Sequence, residues 1–232
     1  MITSTHNNKL KEIRKLRMRK RWRERSGRFV AEGEDLLKAA DAAGWRAVER
    51  YVAAGSGLAG TEVEPKLLES ASGIASGTRA LAVYEERWAE PRGPLCVYLH
   101  GVHDPGNVGA ILRSAQAFGA SSVVLGPGSA DPFGPKAVRA SMGAIFGVPV
   151  ANGGDLPGTK IALVPGAGTS LREIAPAGDV TLLIGAEREG LPDEVVAGAD
   201  QAAHIPIHSH SLNAAMAATV ALYELGHRIS GA

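Results

Sequence analysis

The sequence predicts an α/β protein: a parallel-sheet domain preceded by a small α/β domain. Three observations lead to this prediction. Short apolar runs alternate with segments whose apolar residues recur at helical spacing, several of these runs lead directly into glycine-rich loops, and basic residues are concentrated near the start of the chain. The 232 residues, 45% of them hydrophobic, suffice for one large domain or two small ones.

The chain begins with a strongly basic helical segment, predicted over residues 8–25. Its narrow apolar stripe consists of Leu10, Ile13, Leu16 and Met18. Between Lys9 and Arg28 there are 11 Lys or Arg and two Glu, a surplus of nine, whereas the rest of the chain has a deficit of eight. Clustering one sign of charge costs self-repulsion, so this asymmetry favours a polyanionic partner over a merely solvated face. Arg14, Arg17 and Arg21 are its candidate contacts. Core anchoring is the favoured interpretation of Trp22, with base stacking as the alternative.

Short elements then alternate up to about residue 88. We expect strands at 28–32, 47–54 and 80–84 and helices at 35–43 and 64–70. A run of Glu, Pro, Arg, Gly and Pro at 90–94 is typical of a linker. The predicted domains are therefore residues 1–90 and 94–232.

The second domain opens with a strand, a turn cluster and a helix. Leu95 to Leu99 is an apolar run of strand length, and residues 103–107 combine the residue types that break regular structure. The helix face that follows consists of Val108, Ile111, Leu112, Ala115 and Phe118. Its N-terminus suits a phosphate or carboxylate, and Arg113 lies on the same helix without an apolar role.

The remaining elements repeat the strand–loop–helix order. We expect strands at 123–125, 161–164, 181–184 and 204–207 and helices at 136–142 and 211–229. Such a series predicts a parallel sheet with ligands at the carboxyl ends of its strands. Three loops place polar side chains there, namely Asn107 and Arg113, Glu187, and Ser211 and Asn213. Ser211 also suits a helix N-cap.

Several classes of site are disfavoured. A single cysteine, Cys96, forms no internal disulfide, and the pairs His100 with His103 and His208 with His210 lack further ligands, so we expect no metal. Glycine-rich stretches at 153–160 and 166–171 fit neither a P-loop nor a dinucleotide fingerprint. We find no signal sequence and no membrane-length apolar run, so the expected compartment is the cytoplasm.

Three motifs resemble those of one known family. Residues 104–115 (DPGNVGAILRSA), residues 183–191 (LIGAEREGL), and Ile205-Pro206-Ile207 leading to Ser211-Leu212-Asn213-Ala214-Ala215 are similar, in order, to the motifs of the SpoU/TrmH RNA ribose methyltransferases within the SPOUT superfamily. The third motif is two residues shorter between Ile205 and Ser211 than is usual, and Ser209 replaces a glycine. The N-terminal part is similar to the RNA-binding extension of that family.

This resemblance implies a C-terminal trefoil knot near Ile205–Ser211 and transfer of a methyl group from S-adenosylmethionine to a ribose 2′-hydroxyl. It places Pro165, Gly185, Ile205 and Leu212 around the cofactor. Arg113, Asn107, Glu187, Ser211 and Asn213 become the catalytic candidates. Since Arg stays protonated, Arg113 is expected to hold the target phosphate and stabilise the developing alkoxide, and Glu187 to fix Arg113 or a knot-loop backbone.

The resemblance also implies a homodimer through the knot and the last helix, in which the arginine can come from the partner chain. Ribosomal RNA is the favoured substrate because a separate basic domain is present. A tRNA 2′-O-methyltransferase and a non-catalytic RNA-binding protein with the same fold are the alternatives. A nicotinamide-dependent enzyme is disfavoured because the glycine fingerprint is missing.

Overall fold

The computed structural model describes residues 1–73, 77–208 and 211–229, and it forms two α/β domains. The first domain contains strands β1 to β4 and helices α1 to α4. Its elements are α1 (Asn8–Met18), α2 (Lys20–Ser26), β1 (Arg28–Glu32), α3 (Glu34–Ala42), β2 (Glu49–Ala53), β3 (Thr61–Val63), α4 (Pro65–Ala71) and β4 (Ala80–Glu85). The sheet order is β1-β4-β2-β3, with β2 and β3 parallel and the other pairs antiparallel. The short strand β3 was not predicted.

The basic segment is two helices, so the prediction of one helix over residues 8–25 was wrong. The backbone is extended at Arg19, where α1 ends. This break allows Arg23, which is only 5% exposed, to turn back and donate to the Leu16 carbonyl at 2.6 Å. A cation there satisfies the free carbonyls at the end of α1. Leu10, Ile13 and Leu16 are buried as predicted, but Met18 is exposed, and Trp22 packs partly against the same core.

The second domain is built on a seven-stranded sheet in which every pairing is parallel, as predicted. Its order is β7-β6-β5-β10-β8-β11-β9. The strands are β5 (Leu95–Leu99), β6 (Ser122–Leu125), β7 (Val150–Asn152), β8 (Thr159–Leu163), β9 (Thr169–Ser170), β10 (Val180–Ile184) and β11 (Gln201–His204). The helices are α5 (Pro105–Ala117), α6 (Pro135–Ala140), α7 (Ala144–Gly147), α8 (Asp193–Ala197) and α9 (Ala214–Ile229), with a short 3₁₀ helix at Leu171–Glu173.

The strand predicted at 204–207 was placed too late in the sequence. Strand β11 ends at His204, after pairing with β8 and β9. Pro206 has no N–H to continue the ladder. Ile205 and Ile207 therefore lie in a loop, where the cavity described below accounts for their apolar character.

The two domains share one hydrophobic core. An aromatic cluster crosses the boundary, with the Phe29 and Phe133 ring centroids 4.9 Å apart and those of Tyr84 and Phe146 5.1 Å apart. The Trp45 indole N–H donates to the Phe146 carbonyl at 2.9 Å. Such packing fixes the first domain against the sheet of the second.

The linker between the domains is itself held against the sheet. The Arg92 N–H donates to Ser122 Oγ at 3.0 Å, and the Ala89 N–H donates to the Val150 carbonyl at 2.8 Å. Across the described ranges, no helix combines the length and the apolar character needed to cross a bilayer.

Candidate functional site

A cavity of about 360 Å³ opens at the carboxyl end of the parallel sheet. Three loops surround it, following β8, β10 and β11, and the first turn of α9 closes one side. Its lining residues are Leu163, Val164, Pro165, Ile184, Gly185, Ala186, Glu187, Arg188, Glu189, Gly190, Ile205, Ile207, Ser211, Leu212, Ala214 and Ala217. Parallel strands whose loops meet at one edge make this the expected position for a ligand.

All four residues predicted to hold a cofactor line this one cavity: Pro165, Gly185, Ile205 and Leu212. Gly185 is required sterically, because a Cβ there would overlap the backbone of Gly190 and Leu191 across the same loop. The surrounding side chains are mostly aliphatic, and the loop after β10 adds two carboxylates and one guanidinium. The cavity thus combines an apolar slot with charge at its mouth.

Side chains from all three motifs meet beside the cavity, and one of them, Glu187, lines it. The Asn213 amide donates to Asn107 Oδ1 at 3.2 Å, and the Asn107 amide donates to Glu187 Oε1. Asn213 Oδ1 also accepts from the backbone N–H groups of Ala215 and Met216 at 2.9 and 3.3 Å. We call Asn213, Asn107 and Glu187 the asparagine relay. Because each amide both donates and accepts, its orientation in the relay is fixed.

Asn213 is therefore the N-cap of α9. The helix was predicted to begin at Ser211, and that prediction was wrong, since α9 starts at Ala214. Ser211 instead lines the cavity. The neighbouring His210 and Ser209 lie outside the described residues.

Asp104 caps α5 and thereby places Asn107. Its carboxylate accepts from the backbone N–H groups of Gly106 and Asn107 at 2.5 and 3.2 Å, and Lys136 Nζ contacts both of its oxygens at 3.1 and 2.8 Å. Lys136, followed by the two backbone N–H groups, lowers the pKa of the Asp104 carboxyl. The sequence carries a signal for this cap, an Asp directly before a Pro at the first helical position.

Arg113 lies apart from the relay. It is exposed on α5 and is not among the cavity-lining residues. Within the described ranges it forms no hydrogen bond or ion pair, and Glu187 contacts Asn107. The roles expected for Glu187, fixing Arg113 or a knot-loop backbone, stay predictions.

Comparison with known proteins identifies the family. Residues 94–223 match the model of the SpoU rRNA Methylase family, which covers more than half of the chain. The chain belongs to this family. Residues 7–89 match an MRM3-like substrate binding domain. The chain is an S-adenosylmethionine-dependent RNA methyltransferase.

Individual relatives cover the chain to different extents. It is 30% identical to the 23S rRNA (guanosine(2553)-2'-O)-methyltransferase RlmP of Bacillus subtilis, over 97% of this chain and 98% of that protein. An AdoMet-bound rRNA methyltransferase from Sinorhizobium meliloti superposes with a TM-score of 0.87 at 30% identity, covering 98% of this chain and 97% of that one. A solved structure named for the 2-OH methylation of C/U34 on tRNA is 29% identical to this chain, with a TM-score of 0.54. That match covers 60% of this chain and 100% of the other.

The cavity suits the cofactor of the SpoU family. Its size lies within the range of about 300–1,000 Å³ typical of small-molecule sites. Aliphatic side chains and the backbone of the glycine loop can take the adenosine, and the lining carboxylates of Glu187 and Glu189 suit a ligand that carries a positive sulfonium and ammonium. When bound, S-adenosylmethionine supplies an electrophilic methyl group. Within the described ranges, no three His, Cys, Asp or Glu side chains lie close enough together to hold a metal ion.

The three arginines predicted to bind RNA differ in their surroundings. Arg21 is exposed. Arg14 donates to Ser70 Oγ at 3.0 Å, and Arg17 makes a 2.6 Å ion pair with the buried Glu32. Arg17 therefore has a structural partner that its place in a basic run did not indicate.

Proposed function

We propose that this chain methylates the ribose 2′-hydroxyl of a nucleotide in large-subunit ribosomal RNA, and that it does so in the cytoplasm. The observation that carries this proposal is the asparagine relay, which joins side chains of all three family motifs and reaches the cofactor cavity through Glu187. The full-length correspondence to a relative named for 23S rRNA supports the substrate. The tRNA-related structure corresponds to only 60% of this chain, which favours ribosomal RNA over tRNA.

In this proposal the chain's residues divide the work between binding and positioning. Pro165, Gly185, Ile205 and Leu212 hold the cofactor, and Asn107 and Asn213 keep the motif loops in register. Glu187 holds the Asn107 amide. We also propose a trefoil knot at residues 205–211, of which residues 209 and 210 lie outside the described ranges.

The reaction joins the ribose oxygen to the methyl carbon as the carbon–sulfur bond breaks and the hydroxyl proton passes to water. Alignment of the three atoms supplies much of the rate. Ser211, on the cavity wall, contacts the hydroxyl, and Arg113 holds the adjacent phosphate and stabilises the negative charge that develops on the oxygen.

We infer that Arg113 acts from the second chain of a homodimer. In one chain Arg113 is exposed and away from the cavity. Helix α9 exposes an apolar stripe at helical spacing, in which Met216 is 63%, Val220 38% and Tyr223 61% exposed. A partner seated on that stripe would bury it and bring the two α5 helices near each other's cavities, because α5 packs against α9 through Ser114 and Thr219.

Two experiments test the function. Methyl transfer from labelled S-adenosylmethionine to protein-free 23S rRNA and to bulk tRNA should label the former, and the product should resist alkaline cleavage at one nucleotide. Labelling of tRNA alone would overturn the substrate. Cofactor binding without transfer to any RNA would favour the non-catalytic RNA-binding alternative.

The shared site is tested by mixing two inactive variants. Arg113→Ala and Gly185→Ala should each be inactive alone. After co-refolding, mixed dimers contain one site with both wild-type residues, so activity should return to roughly a quarter of the wild-type level. Absence of any recovery, or a monomer in light scattering, would refute the shared site.

A further inference from the structure

Helix α6 of the methyltransferase domain places two basic side chains at the boundary with the first domain. Lys136 and Arg139 are three residues apart and so project from one side of the helix. Their side chains remain 63% and 51% exposed. Neither was singled out from the sequence, because the region around them is not rich in basic residues.

Arg139 is paired with an arginine of the other domain through one buried carboxylate. Glu32 is 7% exposed and contacts Arg17 Nε at 2.6 Å and Arg139 Nη2 at 3.5 Å. Its two oxygens also accept from the Gly73 N–H, each at 3.0 Å. The buried carboxylate thus holds guanidinium groups from two domains side by side.

The charge at this junction is not balanced within the described residues. Arg14 lies one turn before Arg17 on α1 and donates to Ser70 Oγ and the Thr5 carbonyl, without an acidic partner in the described ranges. Two guanidinium groups therefore share the single Glu32 carboxylate, which leaves a surplus of one positive charge, and Arg14 adds a further cation one turn away on α1. Like charges gathered in this way are stabilised by an additional anion.

Lys136 lies between these arginines and the motif at residues 104–115. Its ammonium contacts both oxygens of Asp104, the carboxylate that caps α5 and accepts from the Asn107 N–H. The cations on α1 and α6 thus lead from the first domain to Asp104, the carboxylate that positions Asn107 of the asparagine relay. Their rigid spacing follows from the hydrophobic core shared by the two domains.

We propose that Lys136 and Arg139 bind backbone phosphates of the RNA substrate where it crosses from the first domain to the cofactor cavity. This inference rests on the proposed function only in taking RNA as the ligand. Guanidinium and ammonium groups that remain half exposed while a carboxylate fixes their position suit phosphate oxygens. Glu32 is the positioning residue for Arg139.

The test compares Lys136→Met and Arg139→Met with a matched control. Arg172→Met removes a cation that is 72% exposed beside β9, at the edge of the seven-stranded sheet opposite to β7. Affinity for a protein-free 23S rRNA transcript is measured at several potassium chloride concentrations. The Met variants should bind about five- to tenfold more weakly at 150 mM salt, and the slope of log K against log salt should fall by about one for each cation removed. The control should leave both unchanged.

Further measurements separate this role from a purely structural one. Calorimetric binding of S-adenosylmethionine and the unfolding temperature should stay near wild-type values in Lys136→Met, and Arg139→Lys should recover most of the salt slope. An unchanged slope in both Met variants would refute the proposal, and a lower unfolding temperature of Arg139→Met alongside it would assign Arg139 to domain docking. Failure of the proposed function is distinguishable, since it would appear as absent methyl transfer in the wild-type protein.

Discussion

One nearly isosteric substitution, Asn107→Asp, replaces a hydrogen-bond donor of the asparagine relay by an acceptor. In the wild-type protein the Asn107 amide donates to Glu187 Oε1, while its oxygen accepts from Asn213 at 3.2 Å. The variant keeps the acceptor for Asn213 but replaces the donor by an oxygen that faces the Glu187 carboxylate. Asn107→Ala is the matched control, because it removes the donor without adding charge.

The expected cost follows from two contributions. Loss of a hydrogen bond to a charged group costs about 1.5–3 kcal/mol. Two carboxylates about 4 Å apart repel by about 4 kcal/mol at an effective dielectric of 20. Solvent screening at this half-exposed site reduces the repulsion to roughly 1–2 kcal/mol. A total of about 3 kcal/mol lowers the population of the ordered site about a hundredfold at pH 7.5. For Asn107→Ala the expected decrease is about tenfold.

The pH dependence gives the sharper test. Two facing carboxylates raise the upper pKa of the pair above the values near 4 that they have in the unfolded chain. The aspartate variant therefore loses stability as the pH rises from about 4 through that raised pKa. Below it, one proton shared between the carboxyls replaces the missing donor.

Thermal unfolding and methyl transfer, each from pH 5 to pH 8, provide the measurement. The aspartate variant should have a lower unfolding temperature and lower activity than the alanine variant at pH 7.5, and values at least equal to it near pH 5. Comparing the two variants at each pH cancels the titration of other groups. Parallel pH profiles for the two variants, or full activity of Asn107→Asp at pH 7.5, would refute the proposed relay.

Three further predictions concern the cofactor loop and the domain junction. Gly185→Ala should weaken calorimetric S-adenosylmethionine binding at least a hundredfold, because its Cβ has no room, whereas Gly198→Ala, whose Cβ would meet only ordinary contacts, should not. Arg23→Met leaves the Asp131 carboxylate without its 2.6 Å partner and should lower the unfolding free energy by about 3 kcal/mol. The melting temperature should then be roughly 6–12 °C lower. An unchanged melting temperature would contradict a stabilising ion pair. Burial, followed by the Asp131 charge, raises the pKa of Glu86 above 4.5, so ionised Glu86 destabilises the fold, and Glu86→Gln should raise the melting temperature at pH 7 but not at pH 4.

The sequence alone determined the fold class and identified part of the cavity lining. Alternating apolar runs and helical stripes are local patterns, and they are sufficient for a parallel sheet because strand–loop–helix units in series leave few alternatives. The motif resemblance gave Pro165, Gly185, Ile205 and Leu212, and the structure brings all four to one cavity.

Element boundaries were less predictable where tertiary contacts decide them. The break at Arg19 depends on Arg23 finding the end of α1 and Asp131 of the other domain. The shift of β11 to Gln201–His204 depends on which strands lie beside it. Neither cause is visible within a window of neighbouring residues.

What the sequence determined by itself is therefore which residues are chemically competent, and what only the tertiary structure decided is which of them act together. Asn107, Glu187 and Asn213 lie up to 106 positions apart, yet hydrogen bonds join them, while Arg113, only six positions from Asn107, points to solvent. Likewise, Arg17 and Arg139 meet on Glu32 only because two domains share a core. Hydrogen bonds and ion pairs act over a few ångströms in space, so they depend on how the chain returns to itself and not on separation along it.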